Sequence, residues 1–172
     1  MKKLSLICSV LLMAFCSANV FAQETGGDAK RAQNVFIEVG GQGLALTANY
    51  DSRFTKKRDG LGGRIGIGHI ASDGSSVTTV PVSLNYLLGK ERQFFEVGLG
   101  ATFATATLDG NFFDFDDNDE DESGNGVIGT MSFAYRLQPV DSGFAFRAGF
   151  TPIFGRNFFI PYYFGLSLGY TF

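Results

Sequence analysis

From residue 34 to residue 172 large apolar side chains return at every second position, and clusters of turn-forming residues cut the run into short pieces. Period two is the repeat of a β-strand whose two faces meet different surroundings. Val35, Ile37 and Val39 share one face with Glu38 between them, and the glycine-rich GGQG at 40–43 reads as a tight hairpin that resets the phase. Leu44, Leu46, Ala48 and Tyr50 then face outward. After TKKRDG (55–60), Leu61, Gly63, Ile65 and Ile67 point one way and Arg64 the other. After ASDGSS (71–76), Thr78, Val80, Val82, Leu84, Tyr86 and Leu88 oppose Ser83 and Asn85. Beyond GKER (89–92), Phe95, Val97, Leu99, Ala101 and Phe103 oppose Glu96, Gly98, Gly100 and Thr102. Val127, Met131, Phe133, Tyr135 and Leu137 alternate with Thr130, Ser132, Ala134 and Arg136. Following QPVD, Phe144, Phe146, Ala148 and Phe150 alternate with Ala145, Arg147 and Gly149. The last piece, FIPYYFGLSLGYTF (159–172), reads as one strand with Ile160, Tyr162, Phe164, Leu166, Leu168, Tyr170 and Phe172 outward over Phe159, Pro161, Tyr163, Gly165, Ser167, Gly169 and Thr171.

The polarity of these faces is the informative part. A strand of a soluble sandwich turns its large apolar face to a core and its charged face to water. Here the other face is small or sparsely charged, and no charge falls in the final fourteen residues. Lipid outside and a narrow lumen inside call for that combination. The expected fold is all-β: an eight-stranded antiparallel transmembrane β-barrel with short periplasmic turns and one long acidic extracellular loop. With both termini periplasmic, TKKRDG, GKER and QPVD lie inside the cell envelope, and GGQG, ASDGSS, the acidic segment and GRNF lie outside. Tyr50, Tyr86, Tyr135 and Tyr170 then form an aromatic girdle near the periplasmic interface.

The first residues change where the chain is placed. Lys2 and Lys3, an apolar run from Leu4 to Phe15 and the pattern Val20-Phe21-Ala22 read as an export signal cut before Gln23. The division is therefore 1–22 signal peptide, 23–33 periplasmic lead-in and 34–172 barrel. Phe15 argues against a lipoprotein signal at Cys16, because that signal needs a small residue there. Both cysteines, Cys8 and Cys16, fall in the signal, which leaves the exported chain without thiol chemistry. Without Lys2 and Lys3 the chain holds 12 basic and 17 acidic residues, and eight of the acids stand between Asp109 and Glu122. The acidity belongs to one loop, and nothing in it suits a nucleic acid.

The alternation, the export signal and the closing LSLGYTF resemble the small eight-stranded bacterial outer-membrane β-barrel family, the OmpA-barrel, OmpX and OmpW-like proteins. The resemblance covers 34–172. It implies residence in the outer membrane among its lipid and lipopolysaccharide, and a C-terminal signal at Tyr170 and Phe172 for the barrel-assembly machinery. Members include anchors, adhesins, hydrophobic-molecule conduits and lipid-modifying enzymes, so architecture is implied more sharply than activity.

Inward parity selects Glu38, Asp51, Arg53, Arg64, Asn85, Glu96, Arg136 and Arg147 as a belt of lumen charge. Charges inside so narrow a barrel are expected to pair and plug it. Arg64 is placed to reach Asp51 and Glu96, Arg136 to reach Glu96, and Arg147 to reach across to Glu38. The leading reading is a non-enzymatic barrel with a structural or surface-interaction role, its loop 109–126 the contact element for an extracellular partner. A second reading is a conduit for small hydrophobic molecules or lipids. Pro152 and Pro161 flank the last hairpin and remove ladder donors, which would open the wall beside an apolar upper lumen of Val77, Thr79, Ala104, Ala106, Ile128, Ile153, Phe159 and Tyr163. A third is a lipid-modifying barrel enzyme with His69, the sole histidine, as base. The Ser such enzymes carry two residues later is here Ala71. Asp116, Asp117, Asp119 and Asp121 are weak divalent-cation ligands, because the order of an EF-hand is missing, with Asp121 in place of its glycine. No cofactor is implied.

Overall fold

The computed structural model describes residues 31–72, 75–107 and 123–172. The export signal, most of the lead-in and the acidic residues Asp116, Asp117, Asp119 and Asp121 lie outside the described residues. The strands are β1 (Gln33–Gly40), β2 (Leu46–Arg53), β3 (Gly60–Ser72), β4 (Ser75–Lys90), β5 (Gln93–Thr107), β6 (Ser123–Leu137), β7 (Gly143–Phe150), β8 (Ile153–Phe154), β9 (Phe159–Ile160) and β10 (Phe164–Thr171). Because β8 prolongs β7 and β9 leads into β10, the ten segments make eight staves. Neighbours in sequence pair antiparallel, and β1 pairs with β10, which closes the ring. Backbone bonds of 3.0 and 3.3 Å between Gln33 and Phe172 continue that seam to the last residue. The start of β1, the last residue and the turns at 54–59, 91–92 and 138–142 lie at one end, here called the terminal end.

Polarity is inverted relative to a water-soluble domain. Among the described residues 21 polar or charged side chains are buried against nine apolar ones, while Ile37, Leu84, Leu99, Phe103, Val127, Phe164 and Leu168 stand exposed on the outside. An apolar exterior over a polar interior fits a barrel bathed in hydrocarbon. Tyr50, Tyr86, Tyr135 and Tyr170 also face outward in the terminal half. Tyr50 donates to Gln33 at 2.7 Å, and Tyr170 meets the Phe144 ring edge-on at 6.2 Å.

Two parts of the wall depart from simple alternation. The connection after β1 is not an outward hairpin. Gly41–Gly43 forms a short 3-10 turn that folds into the lumen and buries Gln42. Positive φ angles of 70° at Gly40 and 63° at Gly41 make this inward fold possible, and a Cβ on Gly41 would strike the Glu38 carboxyl group. The last stave is also not one strand. Ile153 pairs with Ile160, whereas Phe150 pairs with Phe164, so the stave holds one residue more than its partner between these rungs. That bulge at 161–163 reverses the alternation above it. Phe159, expected inside, stands opposite Phe154 and is exposed, and Ile160 pairs with the buried Ile153 while remaining exposed itself.

An outward leucine at mid-height separates a lipid-facing wall from a water-facing one. Leu99→Arg or Leu168→Arg is expected to cost about 2–4 kcal/mol when the barrel is unfolded by urea from lipid vesicles. A change near zero in both would overturn the lipid-facing assignment.

Candidate functional site in the charged lumen

Strand parity turns Glu38, Asp51, Arg53, Arg64, Asn85, Glu96, Arg136 and Arg147 inward, and all eight are buried. Seven of them form one unbroken alternating chain. Arg64 holds Glu38 with both terminal nitrogens, the Nη1 bond being 3.2 Å. Arg147 bridges Glu38 at 2.6 Å and Glu96 at 3.0 Å. Arg136 bridges Glu96 at 3.4 Å and, across the lumen, Asp51 at 2.9 Å, and Arg53 ends the series on Asp51 at 2.7 Å. Each acid thus sits between two arginines, and each inner arginine between two acids.

Neutral acceptors complete the ends. Arg64 donates to Asn49 Oδ1 at 2.9 Å and to Gln42 Oε1 at 3.1 Å, with its guanidinium 4.8 Å from the Phe36 ring centroid. Arg53 donates to Asn85 and, at 2.9 Å, to the Gly60 carbonyl, while Asn85 donates to Asp51 at 2.6 Å. Ser132 donates to Glu96 at 3.3 Å. Arg64 does not reach Asp51 or Glu96 as its parity suggested. It stands opposite Asp51 in the β2–β3 ladder, but that carboxylate is already shared by Arg53 and Arg136, and the Arg64 stem extends to Glu38 instead.

Gln42 roofs this chain, and its role was not foreseen. Its side-chain carbonyl accepts from Arg64 and from Ser83 at 2.9 Å, its amide donates to Thr130 at 3.4 Å, and its backbone carbonyl accepts from Thr102. The 3-10 turn is therefore tied to β3, β4, β5 and β6. Leu87 and Phe94, both fully buried, close the lumen at the terminal side. At that end Arg58 of the β2–β3 turn donates to the carbonyls of Gln138, Pro139 and Val140, a staple between two turns that read in sequence as independent.

The remaining candidates are scattered. His69 is exposed on the outer face with Nδ1 2.9 Å from Thr78 Oγ1. Among the described residues no three metal-ligating side chains are grouped to hold an ion. Val77, Thr79, Ala104, Ala106, Ile128 and Ile153 do line the upper lumen, with Tyr163 half-buried, but Phe159 lies outside. The prolines do not part the last hairpin. The strand ladders stop at Phe150 and resume at Ile153, but Met131 N–H donates to the Pro152 carbonyl at 2.9 Å and Thr151 N–H to the Tyr163 carbonyl at 2.7 Å, so one bond bridges the gap on each side. Pro81 does interrupt a ladder: the β3–β4 pairing omits Gly66 and Ile67 opposite Val80 and Pro81.

This closed ring of eight staves, with an apolar wall and a charged interior, has the fold of the small OmpA-like outer-membrane barrels. Among solved structures it is similar to the N-terminal β-barrel domain of Pseudomonas aeruginosa OprF, with a TM-score of 0.55 at 13% identity, over 86% of this chain and 100% of that one. The Yersinia pestis outer membrane protein Ail, in a phospholipid bilayer nanodisc, is matched with a TM-score of 0.40 at 11% identity, over 83% of this chain and 99% of that one. No family model matches the chain, and no curated protein does.

Glu38→Gln keeps the shape and removes the charge that Arg64 and Arg147 share. Leaving two buried arginines without it is expected to lower stability by about 3–5 kcal/mol in denaturant unfolding. Glu91→Gln in the exposed β4–β5 turn is expected to change it by less than about 0.5 kcal/mol. Equal small effects would show that the chain of charges does not hold the barrel.

Proposed function

We propose that this chain is a non-enzymatic integral protein of the bacterial outer membrane, exported by its N-terminal signal, with a structural or surface-interaction role and a lumen plugged by paired charges. The observation that carries the reading is the alternating chain of four arginines and three carboxylates under the Gln42 roof. A conducting path would have to pass between ion pairs that already satisfy one another, and parting them in a low dielectric costs several kcal/mol. The exterior supports an assignment to lipid, lipopolysaccharide and the barrel-assembly machinery as surroundings. Segment 109–126, whose last four residues form the start of β6, is the proposed contact element for an extracellular partner, since it links β5 and β6 at the end opposite the β1–β10 seam at Gln33 and Phe172.

The hydrophobic conduit finds less support. It rests on a wall opening at Pro152 and Pro161, and although the strand ladder is interrupted at 151–152 and 161–163, the Thr151 N–H bond to the Tyr163 carbonyl ties the two sides together across the gap. An enzymatic reading finds no second catalytic group beside His69 among the described residues, where its Nδ1 meets the Thr78 hydroxyl.

Planar-bilayer recording tests the plug. Purified wild-type protein is expected to give no stable single-channel events, and Glu96→Ala, which releases Arg136 and Arg147, is expected to give them. Reproducible wild-type channels of uniform conductance would overturn the proposal.

A further inference from the structure

The lumen chain begins and ends with arginine, so its charges do not cancel. Arg53, Arg64, Arg136 and Arg147 face Glu38, Asp51 and Glu96, and every one of these side chains is at most 5% exposed. One positive charge is left over in a desolvated interior. It cannot be shed as a proton, because guanidinium keeps its proton in proteins. Among the described residues no fourth carboxylate is buried beside these arginines.

The same arginines wall a small cavity. Asn34, Phe36, Arg136, Ala145, Phe146, Arg147 and Ser167 line about 10 Å³, room for one water-sized particle. Arg136 Nε is buried with no acceptor among the described groups, and so is the Asn34 carboxamide oxygen without a donor, although the amide can turn to present its NH2 instead. The surplus of one belongs to the network as a whole, whose singly paired ends are Arg53 and Arg64, and the cavity beside the two inner arginines adds an unused guanidinium N–H and a space lined by a hydroxyl and an amide. We infer that the cavity between Asn34, Arg136, Arg147 and Ser167 binds a single monovalent anion of the halide class, which brings the buried lumen to neutrality. A larger or divalent anion does not suit so small a space or a surplus of one.

Asn34→Asp supplies the test, since it puts a carboxylate into the cavity at almost unchanged volume and makes the belt four against four. Urea unfolding of the full barrel from lipid vesicles is followed in sodium bromide or chloride from about 15 to about 150 mM, with sodium gluconate holding the ionic strength constant. For one saturated site the folded-to-unfolded ratio of the wild type rises about tenfold over that range, and that of Asn34→Asp does not change. Crystals of the wild type grown in bromide should show an anomalous peak within hydrogen-bond distance of Arg136 or Arg147, a readout that stands even if Asn34→Asp fails to fold. A flat response to halide, or a slope with no bromide in the cavity, overturns the inference, as does a peak without a slope, which would mark binding at crystal concentration only. The inference does not rest on the plug: wild-type channels in a bilayer would remove that reading and leave the halide slope to be judged by itself.

Discussion

Hydrocarbon offers no hydrogen bonds, so every backbone N–H and C=O that a chain carries through a membrane must find its partner within the protein. For strands the only complete solution is a closed ring, and the β1–β10 seam, extended by Gln33 and Phe172, is where this chain meets that demand. Ring closure with eight staves then limits what the interior can hold, because the lumen is only wide enough for side chains to fill. The reversed polarity follows. Outward positions are free to be large and apolar, and inward positions must be small, or polar and mutually satisfied.

The alternating chain is how this lumen meets the second half of that condition. Each inner residue has to hold two carboxylates at once, and a lysine would have to bring both to a single nitrogen. Arginine has the planar fork that permits it, and Arg136 and Arg147 each span from one carboxylate to another. At the ends, where the next carboxylate is missing, amide oxygens of Gln42, Asn49 and Asn85 take its place. The inward 3-10 turn belongs to the same solution. Its glycines let the backbone come within reach of Glu38 and Gly165, which puts a neutral amide exactly where the arginine series runs out of acids.

Most of this frame was legible from period two alone, because a strand transmits side-chain direction without reference to the rest of the fold. The eight staves, the outward tyrosines and the inward polar residues of β1 to β7 follow from parity. What parity cannot carry is a change of count. One extra residue at 161–163 inverted Phe159, and no local feature beyond Pro161 marked it. The GGQG piece failed for a different reason: glycines have no face, so the run could not tell a hairpin leaving the barrel from one entering it. Its single amide, Gln42, was the available signal. Arg64 shows a third limit. A ladder position gives the root of a side chain, and an arginine several bonds long chooses its partner by which carboxylates are still unclaimed.

The same hydrogen-bond condition bounds the membrane on one side of the molecule. The β2–β3 ladder stops at the rung of Thr47 and Gly68, and the β1–β10 ladder at Gly40 and Gly165, whereas β3 continues to Ser72 and β9 stands above β10. Between these taller staves the inward turn leaves β3 beyond Gly68 with no strand partner on its β2 side among the described residues. Unpaired strand edges are tolerable in water or headgroups and costly in hydrocarbon. A hydrocarbon edge near Val39 and Leu46, the last large apolar residues of β1 and β2 that face out, meets that condition on this side. His69 and Thr78, hydrogen-bonded to one another on the outer face just above that level, are the first polar pair the wall presents there. Such an exposed polar pair suits an interface, where water or headgroups can meet the ring nitrogen that Thr78 leaves over.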